Sequence, residues 1–195
     1  MDILEVIKAR RSTRKFVPTP LPEEDVALIL KAGSYAPSGG NSQSTHFLVL
    51  RSREKIMDLC VTAAEEFARM EEEPGMYRSL VKTFRRAKQN SANYDFTYGA
   101  PVFVLLANKR GYGNAMADCA LAAENMFLQA TAMGISSCYI NQIHWMTDNE
   151  RVLSKLHALG MAEDEHVLLG VALGHSAMGE LPPLERFGNP VTYVD

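Results

Sequence analysis

The order of apolar and polar positions along the chain predicts helices that alternate with strands. A short helix with an apolar face is expected over Asp2 to about Ala9, and three prolines between residues 18 and 22 then enforce an extended stretch. A second helix is expected from Pro22 to Ala36. Further along, the pattern predicts strands over Thr45–Leu50, Val102–Ala107, Ile135–Ile140 and Val167–Leu173, and helices over about Ser52–Glu72, Asn114–Met133 and Asn149–Leu159.

Two parts of the chain carry a less regular pattern. The stretch from Glu73 to Asn93 is rich in cations and has some helical character, and the last twenty residues, with three prolines, are expected to run extended over a surface. The strand Val102–Ala107 is apolar throughout, which is typical of a strand buried on both faces. The alternation as a whole predicts an α/β or α+β sandwich around one sheet, in a single domain spanning residues 1–195.

The charge and composition of the chain argue against several classes of protein. A formal charge of −3 argues against a general nucleic-acid binder. No apolar run reaches the roughly 18 residues of a membrane span, and the N-terminus lacks the features of a signal peptide, so we expect a cytoplasmic protein with no membrane partner. The cysteines Cys60, Cys119 and Cys138 are odd in number and show no CxxC spacing, which predicts reduced, buried thiols rather than disulfides or a zinc site.

A cationic cluster lies where the first helix gives way to the extended stretch. Its charges are Lys8, Arg10, Arg11, Arg14 and Lys15. Such a cluster repels itself unless an anion neutralises it, and arginine matches phosphate oxygens bidentately. The hydroxyl of Ser12 adds a donor, so the segment is suited to a cofactor phosphate. The alternative is a solvated basic face that the helix dipole favours.

The segment Ala36–Gln43 joins a predicted helix to a predicted strand. Gly39 and Gly40 permit close approach of the backbone to a flat ligand, and Asn41 and Gln43 offer amide groups. The alternative is a plain turn, because proline, serine, glycine and asparagine are the usual turn residues. The segment matches neither a Walker phosphate loop nor a dinucleotide-binding fingerprint.

Two later segments, Gly134–Asn141 and Leu169–His175, are strands that end in polar or aromatic residues. Glycine and alanine in such strands most often reflect packing. The histidines show no HxxxH or HExxH spacing, and no GxSxG motif marks a serine nucleophile. The residues therefore indicate neither a metal site nor a protein nucleophile.

These four segments, in this order and spacing, resemble the nitroreductase family of FMN proteins. The specific elements are Arg10-Arg11-Ser12-x-Arg14-x-Phe16, Ala36-Pro37-Ser38-Gly39-Gly40-Asn41-x-Gln43 and the late Leu173-Gly174. The resemblance covers nearly the whole chain. It implies an α+β fold, a three-layer α/β/α sandwich with a mixed, mainly antiparallel sheet, in a homodimer with exchanged terminal arms.

The resemblance also assigns roles to residues. It implies that Arg10, Arg11 and Ser12 hold the phosphate and ribityl part of FMN, and that Arg14 approaches the pyrimidine end of the ring. Pro37, Ser38, Gly39, Asn41 and Gln43 would reach the flavin from the other subunit. Ser137, Cys138, Tyr139 and Ile140 would lie along the ring, and Gly174 and Arg186 would close the phosphate site. His175 would either contact the phosphate or fill the volume beside it.

The implied reaction passes hydride from NAD(P)H through the flavin to a nitroaromatic, quinone, enone or free flavin by a ping-pong mechanism. The flavin carries the chemistry, so no catalytic side chain is expected. The chain departs from the family pattern at His175-Ser176, where relatives often have Tyr-Pro, and at Ser44-Thr45, where they often have Pro-Trp. The alternatives are an FMN-dependent oxidase or dehydrogenase of the same fold, and a non-catalytic module that binds an acidic partner or RNA through Arg10–Lys15.

Overall fold

Four strands form one antiparallel sheet in the order β1-β2-β4-β3. The computed structural model describes residues 2–179 and 181–194. The strands are β1 (His46–Leu50), β2 (Val102–Lys109), β3 (Ser136–Ile140) and β4 (Glu165–Gly174). The last strand in the chain is thus a central strand of the sheet, and the two ends of the sheet are β1 and β3.

Seven helices accompany the sheet within the described residues. They are α1 (Ile3–Ala9), α2 (Glu23–Ser34), α3 (Arg53–Arg69), α4 (Arg78–Asn90), α5 (Ala115–Ala132), α6 (Gln142–Trp145) and α7 (Glu150–Ala158), with 3-10 turns at Gly39–Asn41 and Ser91–Asn93. In the same residues, no helix combines the length and apolar character needed to cross a membrane.

The helices cover both faces of the sheet and create two hydrophobic cores. Val104 and Leu106 of β2 face the core formed with α2 and α5, whereas Phe103 and Leu105 face the core formed with α3, α4 and α7. Because side chains alternate along a strand, a strand covered on both faces must be apolar at nearly every position. The three-layer α+β sandwich and the doubly buried β2 that the sequence predicts are both confirmed.

All pairs of strands in the described sheet are antiparallel. The parallel component among the described residues is a single bridge between Ser12, which lies outside the named strands, and Ser137 on the outer edge of β3. This bridge places the predicted cationic segment directly at the end of the sheet.

The structure differs from the predicted elements mainly in two places. Helix α4 forms where the pattern was weak, because Thr83, Phe84 and Ala87 bury one side of it against α3 while its cations remain exposed. The rings of Phe67 and Phe84 lie 5.8 Å apart across this contact. The four-residue helix α6 was not predicted. Residues 181–194 form no helix or strand and are largely exposed, in agreement with the extended stretch that was expected.

Candidate active site

The cationic segment leaves α1 and follows the outer edge of β3. The backbone of Arg10 turns to φ −58° and ψ 126°, which ends the helix. Ser12 then bridges Ser137 of β3, and the N–H of Thr13 donates to the Ser137 carbonyl at 2.9 Å. Backbone contacts therefore fix the segment, which leaves its cationic side chains available to a ligand.

Phe16 anchors the far end of this segment. Its side chain is buried, and its N–H donates to the carbonyl of Tyr98 at 3.1 Å. Gly174 makes room for it, because a Cβ at that position would lie 3.0 Å from Cδ1 of Phe16 and 2.6 Å from Cδ of Pro101. Gly174 thus contributes to the predicted site by packing, since a larger residue would press on Pro101 and on the anchor Phe16.

A cavity of about 530 Å³ opens between this segment, the end of α5 and the end of β4. It is lined by Ala9, Arg11, Thr13, Thr131, Gly134, Ile135, Ser136, His175, Ser176, Gly179 and Leu181. One guanidinium nitrogen of Arg11 donates to the carbonyl of Pro182, which ties the cavity to the C-terminal segment. A cation surrounded by hydroxyl donors is suited to a phosphate group.

Arg14 lies beside Tyr98 and Cys138. Burial raises the pKa of both the Tyr98 hydroxyl and the Cys138 thiol, and the nearby charge of Arg14 opposes that rise in each case. Arg10 acts on Cys138 in the same way. The two arginines therefore converge on the start of β3, and within the part of the chain that the structure describes neither forms an ion pair.

The predicted residues of β3 divide between core and surface. Cys138 and Ile140 are buried in the core, whereas 40% of Tyr139 is exposed. The Ser137 carbonyl accepts from Thr13 at the outer edge, so alternation along the strand directs the N–H of Tyr139 to the same edge. Tyr139 thus offers both an exposed ring and a backbone donor, while Cys138 and Ile140 shape the site from behind.

The segment Pro37–Gln43 forms a tight loop with an unusual backbone. Gly40, Asn41 and Gln43 all have positive φ angles, of 59°, 55° and 48°. The hydroxyl of Ser38 accepts from the N–H of Gln43 at 3.0 Å, and the Ser38 carbonyl accepts from the N–H of Asn41 at 2.9 Å. These two hydrogen bonds give the loop a defined backbone conformation.

This loop and the cationic segment line different cavities of the chain. Pro37, Ser38 and Gln43 border a cavity of about 140 Å³, which shares no lining residue with the larger one. Arg186 lies in the exposed C-terminal segment and lines neither cavity. Of the predicted residues, Arg11 and His175 line the larger cavity. The bridge from Ser12 to Ser137 and the packing of Phe16 beside Gly174 place the cationic segment next to β3 and the end of β4, whereas the loop and Arg186 line no part of that cavity.

Three residues near these groups were not predicted as part of a site. Tyr98 contacts Arg14, and its own φ of 60° is uncommon for a large side chain. Asp118 and Tyr112 hold the loop: the Asp118 carboxylate accepts from the N–H of Gly39 at 3.1 Å, and the Tyr112 hydroxyl donates to Asp118 at 3.0 Å. The signal for Asp118 was an acidic residue in the first turn of a largely apolar helix, but its partners Gly39 and Ser42 lie far away in the sequence.

Comparison with known proteins assigns this arrangement to a family. The model of the nitroreductase family matches residues 7–175. A nitroreductase from Bacteroides fragilis, solved with bound FMN, has a TM-score of 0.88 and 36% identity over 100% of both chains. Nitroreductase NfnB from Mycolicibacterium smegmatis is 28% identical, with 88% of this chain and 81% of that protein covered. The FMN reductase (NADPH) from Bacillus subtilis is 29% identical, with 95% and 71% covered. The chain belongs to the nitroreductase family.

Proposed function

We propose that this chain is an FMN-dependent oxidoreductase that uses NAD(P)H to reduce a small organic acceptor. The observation that carries the proposal is the cationic segment Arg10–Arg14, held by backbone bonds along the outer edge of β3 beside a cavity of about 530 Å³. The related B. fragilis protein binds FMN, and the B. subtilis relative is an FMN reductase that uses NADPH.

The residues present fit the chemical parts of FMN. Arg10, Arg11 and Ser12 offer cations and a hydroxyl for the phosphate. Of these residues Arg11 lines the cavity of about 530 Å³, and His175 borders it as well. Arg14 carries a charge that no ion pair within the described residues neutralises, which suits the pyrimidine end of the ring, where reduction adds negative charge. When bound, FMN would supply the hydride chemistry, so the chain needs no acid or nucleophile of its own.

The residues of the chain would bind FMN and orient its ring. The N–H of Tyr139, which faces the outer edge of β3, would offer the ring edge a donor, and Cys138 and Ile140 are buried behind the strand. An open outer face would let the nicotinamide and then the acceptor approach the same position, which is the requirement of a ping-pong reaction. A nitroaromatic, quinone, enone or flavin could each serve as acceptor.

We further propose a cytoplasmic homodimer in which the loop Pro37–Gln43 of one subunit completes the site of the other. The loop and the cationic segment line separate cavities within one chain, so a second copy is the simplest way to unite them. The outward side of α1, with Ile3, Leu4 and Ile7, is apolar and exposed, as a subunit interface requires. The described cysteines are all unpaired and buried, which suits a reducing compartment.

The direct test is the visible spectrum of the purified protein after it is loaded with FMN and desalted. We expect about one FMN per chain to be retained and to be bleached anaerobically by NADH or NADPH. Retained flavin that neither nucleotide bleaches would point to the oxidase of the same fold. Loss of all flavin on desalting would refute the proposal and leave the binding-module alternative.

A further inference from the structure

Asp118 is a buried carboxylate without a cation. Only 4% of the residue is exposed, and within the described residues it forms no ion pair. A buried charge of this kind is costly unless hydrogen bonds satisfy it. Its position in the first turn of α5 helps, because the positive end of the helix dipole lies there.

The hydrogen-bond donors to the Asp118 carboxylate come from the loop that follows α2 and from Tyr112, just before α5. Gly39 donates its N–H to Oδ1 at 3.1 Å, and Ser42 donates its hydroxyl to Oδ2 at 3.4 Å. The hydroxyl of Tyr112 lies 3.0 Å from Oδ2 and also 3.0 Å from the carbonyl oxygen of Gly39. The carboxylate is therefore the point to which both ends of the 3-10 turn at Gly39–Asn41 are tied.

The loop that contains this turn needs hydrogen bonds to hold its backbone. Asn41 and Gln43 occupy the left-handed region, which costs a residue other than glycine on the order of 1 kcal/mol or more. The fit at its start is close as well: a Cβ on Gly39 would lie 2.1 Å from Nδ2 of Asn114. Strained backbone of this kind persists only where the surroundings fix it, and here Asp118 is the central acceptor.

We propose that Asp118 is a positioning residue that sets the loop Pro37–Gln43 for the flavin of the partner subunit. The inference rests on the proposed FMN function and on the proposed dimer. Asp118 and the loop border the 140 Å³ cavity, which shares no lining residue with the larger one. In the proposed dimer the loop completes the partner's site, so Asp118 acts on that site and not on its own. Each half of the dimer thereby controls the flavin affinity of the other.

The first experiment measures FMN dissociation constants by fluorescence. Asp118→Asn keeps the size of the side chain but presents an amide group to donors, and we expect it to weaken FMN binding about tenfold or more. Tyr112→Phe removes one donor and should weaken binding by less. Glu165→Gln is the matched control: Glu165 is also a buried carboxylate, held by His46 and by the N–H of Ala162, and it lies outside both cavities. It should lower the melting temperature without changing FMN affinity.

The second experiment tests action across the interface with a mixed dimer. One subunit carries Arg14→Ala and the other carries Asp118→Asn, with different tags for purification. If Asp118 acts on the partner, the two defects fall in the same site and the other site is intact, so one FMN per dimer binds with the wild-type dissociation constant. If Asp118 acts within its own subunit, both sites are defective and none has wild-type affinity.

The outcomes separate the two proposals. A wild-type protein that retains no FMN would overturn the proposed function, and this inference with it. A wild-type protein that retains FMN, together with wild-type affinity in both Asp118→Asn and Tyr112→Phe, would overturn the inference alone. A monomeric holoenzyme, or a mixed dimer with no intact site, would overturn the action across the interface.

Discussion

At the level of single residues, the charge of Arg14 makes the predicted site electropositive. Its neighbours Tyr98 and Cys138 are groups whose pKa burial raises, so both are neutral near pH 7 and neither cancels its charge. The sequence indicated this arginine from its motif. The neutral surroundings could not be predicted, because they depend on how the turn at Tyr98 folds back on the segment.

We predict that Arg14→Ala weakens FMN binding by about tenfold to a hundredfold, since a hydrogen bond to a charged group contributes about 1.5–3 kcal/mol. Lys15→Ala, which removes the neighbouring exposed cation, serves as the control and should change affinity much less. Fluorescence titration of FMN checks both variants. Equal losses in the two would show that only the general positive charge of the segment matters.

The buried thiol of Cys119 makes the stability of the fold depend on pH. Burial raises the pKa of its thiol from 9.0 to about 11. The folded state therefore holds this proton more tightly than the unfolded state, and the resulting stability is complete below pH 9 and is lost as the pH rises toward 11. Cys119 alone should account for about 3 kcal/mol of that loss.

Urea unfolding at pH 8 and pH 11 checks this expectation. The free energy of unfolding should fall over that interval in the wild type, and by less in Cys119→Ala. Burial also raises the pKa of Cys60, so some dependence on pH should remain in the variant. The same fall in both proteins would contradict the assigned role of Cys119.

At the scale of elements, the apolar pattern predicted the strands and most helices to within a few residues. The strand β2 was predicted correctly because burial of both of its faces makes it apolar at nearly every position, which the sequence shows. Helix α4 was only weakly indicated, since its burial depends on contact with α3, which a local pattern does not reveal. The order of the strands, with β4 between β2 and β3, is likewise a tertiary property.

Gly170 offers a test of packing between elements. A Cβ there would lie 2.5 Å from Cε2 of Phe103, whose ring is fully buried, so one of the two must shift within the core. We predict that Gly170→Ala destabilises the fold by about 1–3 kcal/mol through overpacking. Gly113→Ala is the control, since a Cβ at Gly113 meets nothing within 4 Å. Chemical denaturation of both variants measures the difference, and equal stability would contradict the close packing.

At the scale of the whole molecule, the two halves of the predicted site lie in separate parts of one chain. The sequence motifs predicted both the cationic segment and the loop Pro37–Gln43, but only the folded chain shows that they line different cavities. In the C-terminal segment, Phe187, Tyr193 and Val194 are 84%, 88% and 90% exposed. In the proposed dimer we expect these apolar side chains to pack against the partner subunit.

We therefore predict that deletion of residues 184–195 weakens the dimer by at least about tenfold, since burying one large apolar side chain contributes about 1.5–3 kcal/mol. Helix and strand content should be unchanged, because residues 184–194 form no helix or strand. Sedimentation at several concentrations measures the dissociation constant, and circular dichroism provides the control. An unaltered dimer would show that the segment is not part of the interface.

A crystal structure of the FMN-loaded protein would show whether one flavin site is built from two subunits. We expect FMN to lie with its phosphate near Arg10, Arg11 and Ser12 of one subunit, and with the loop Pro37–Gln43 of the partner against its ring. FMN bound within a single chain, or at a position away from the outer edge of β3, would contradict this expectation.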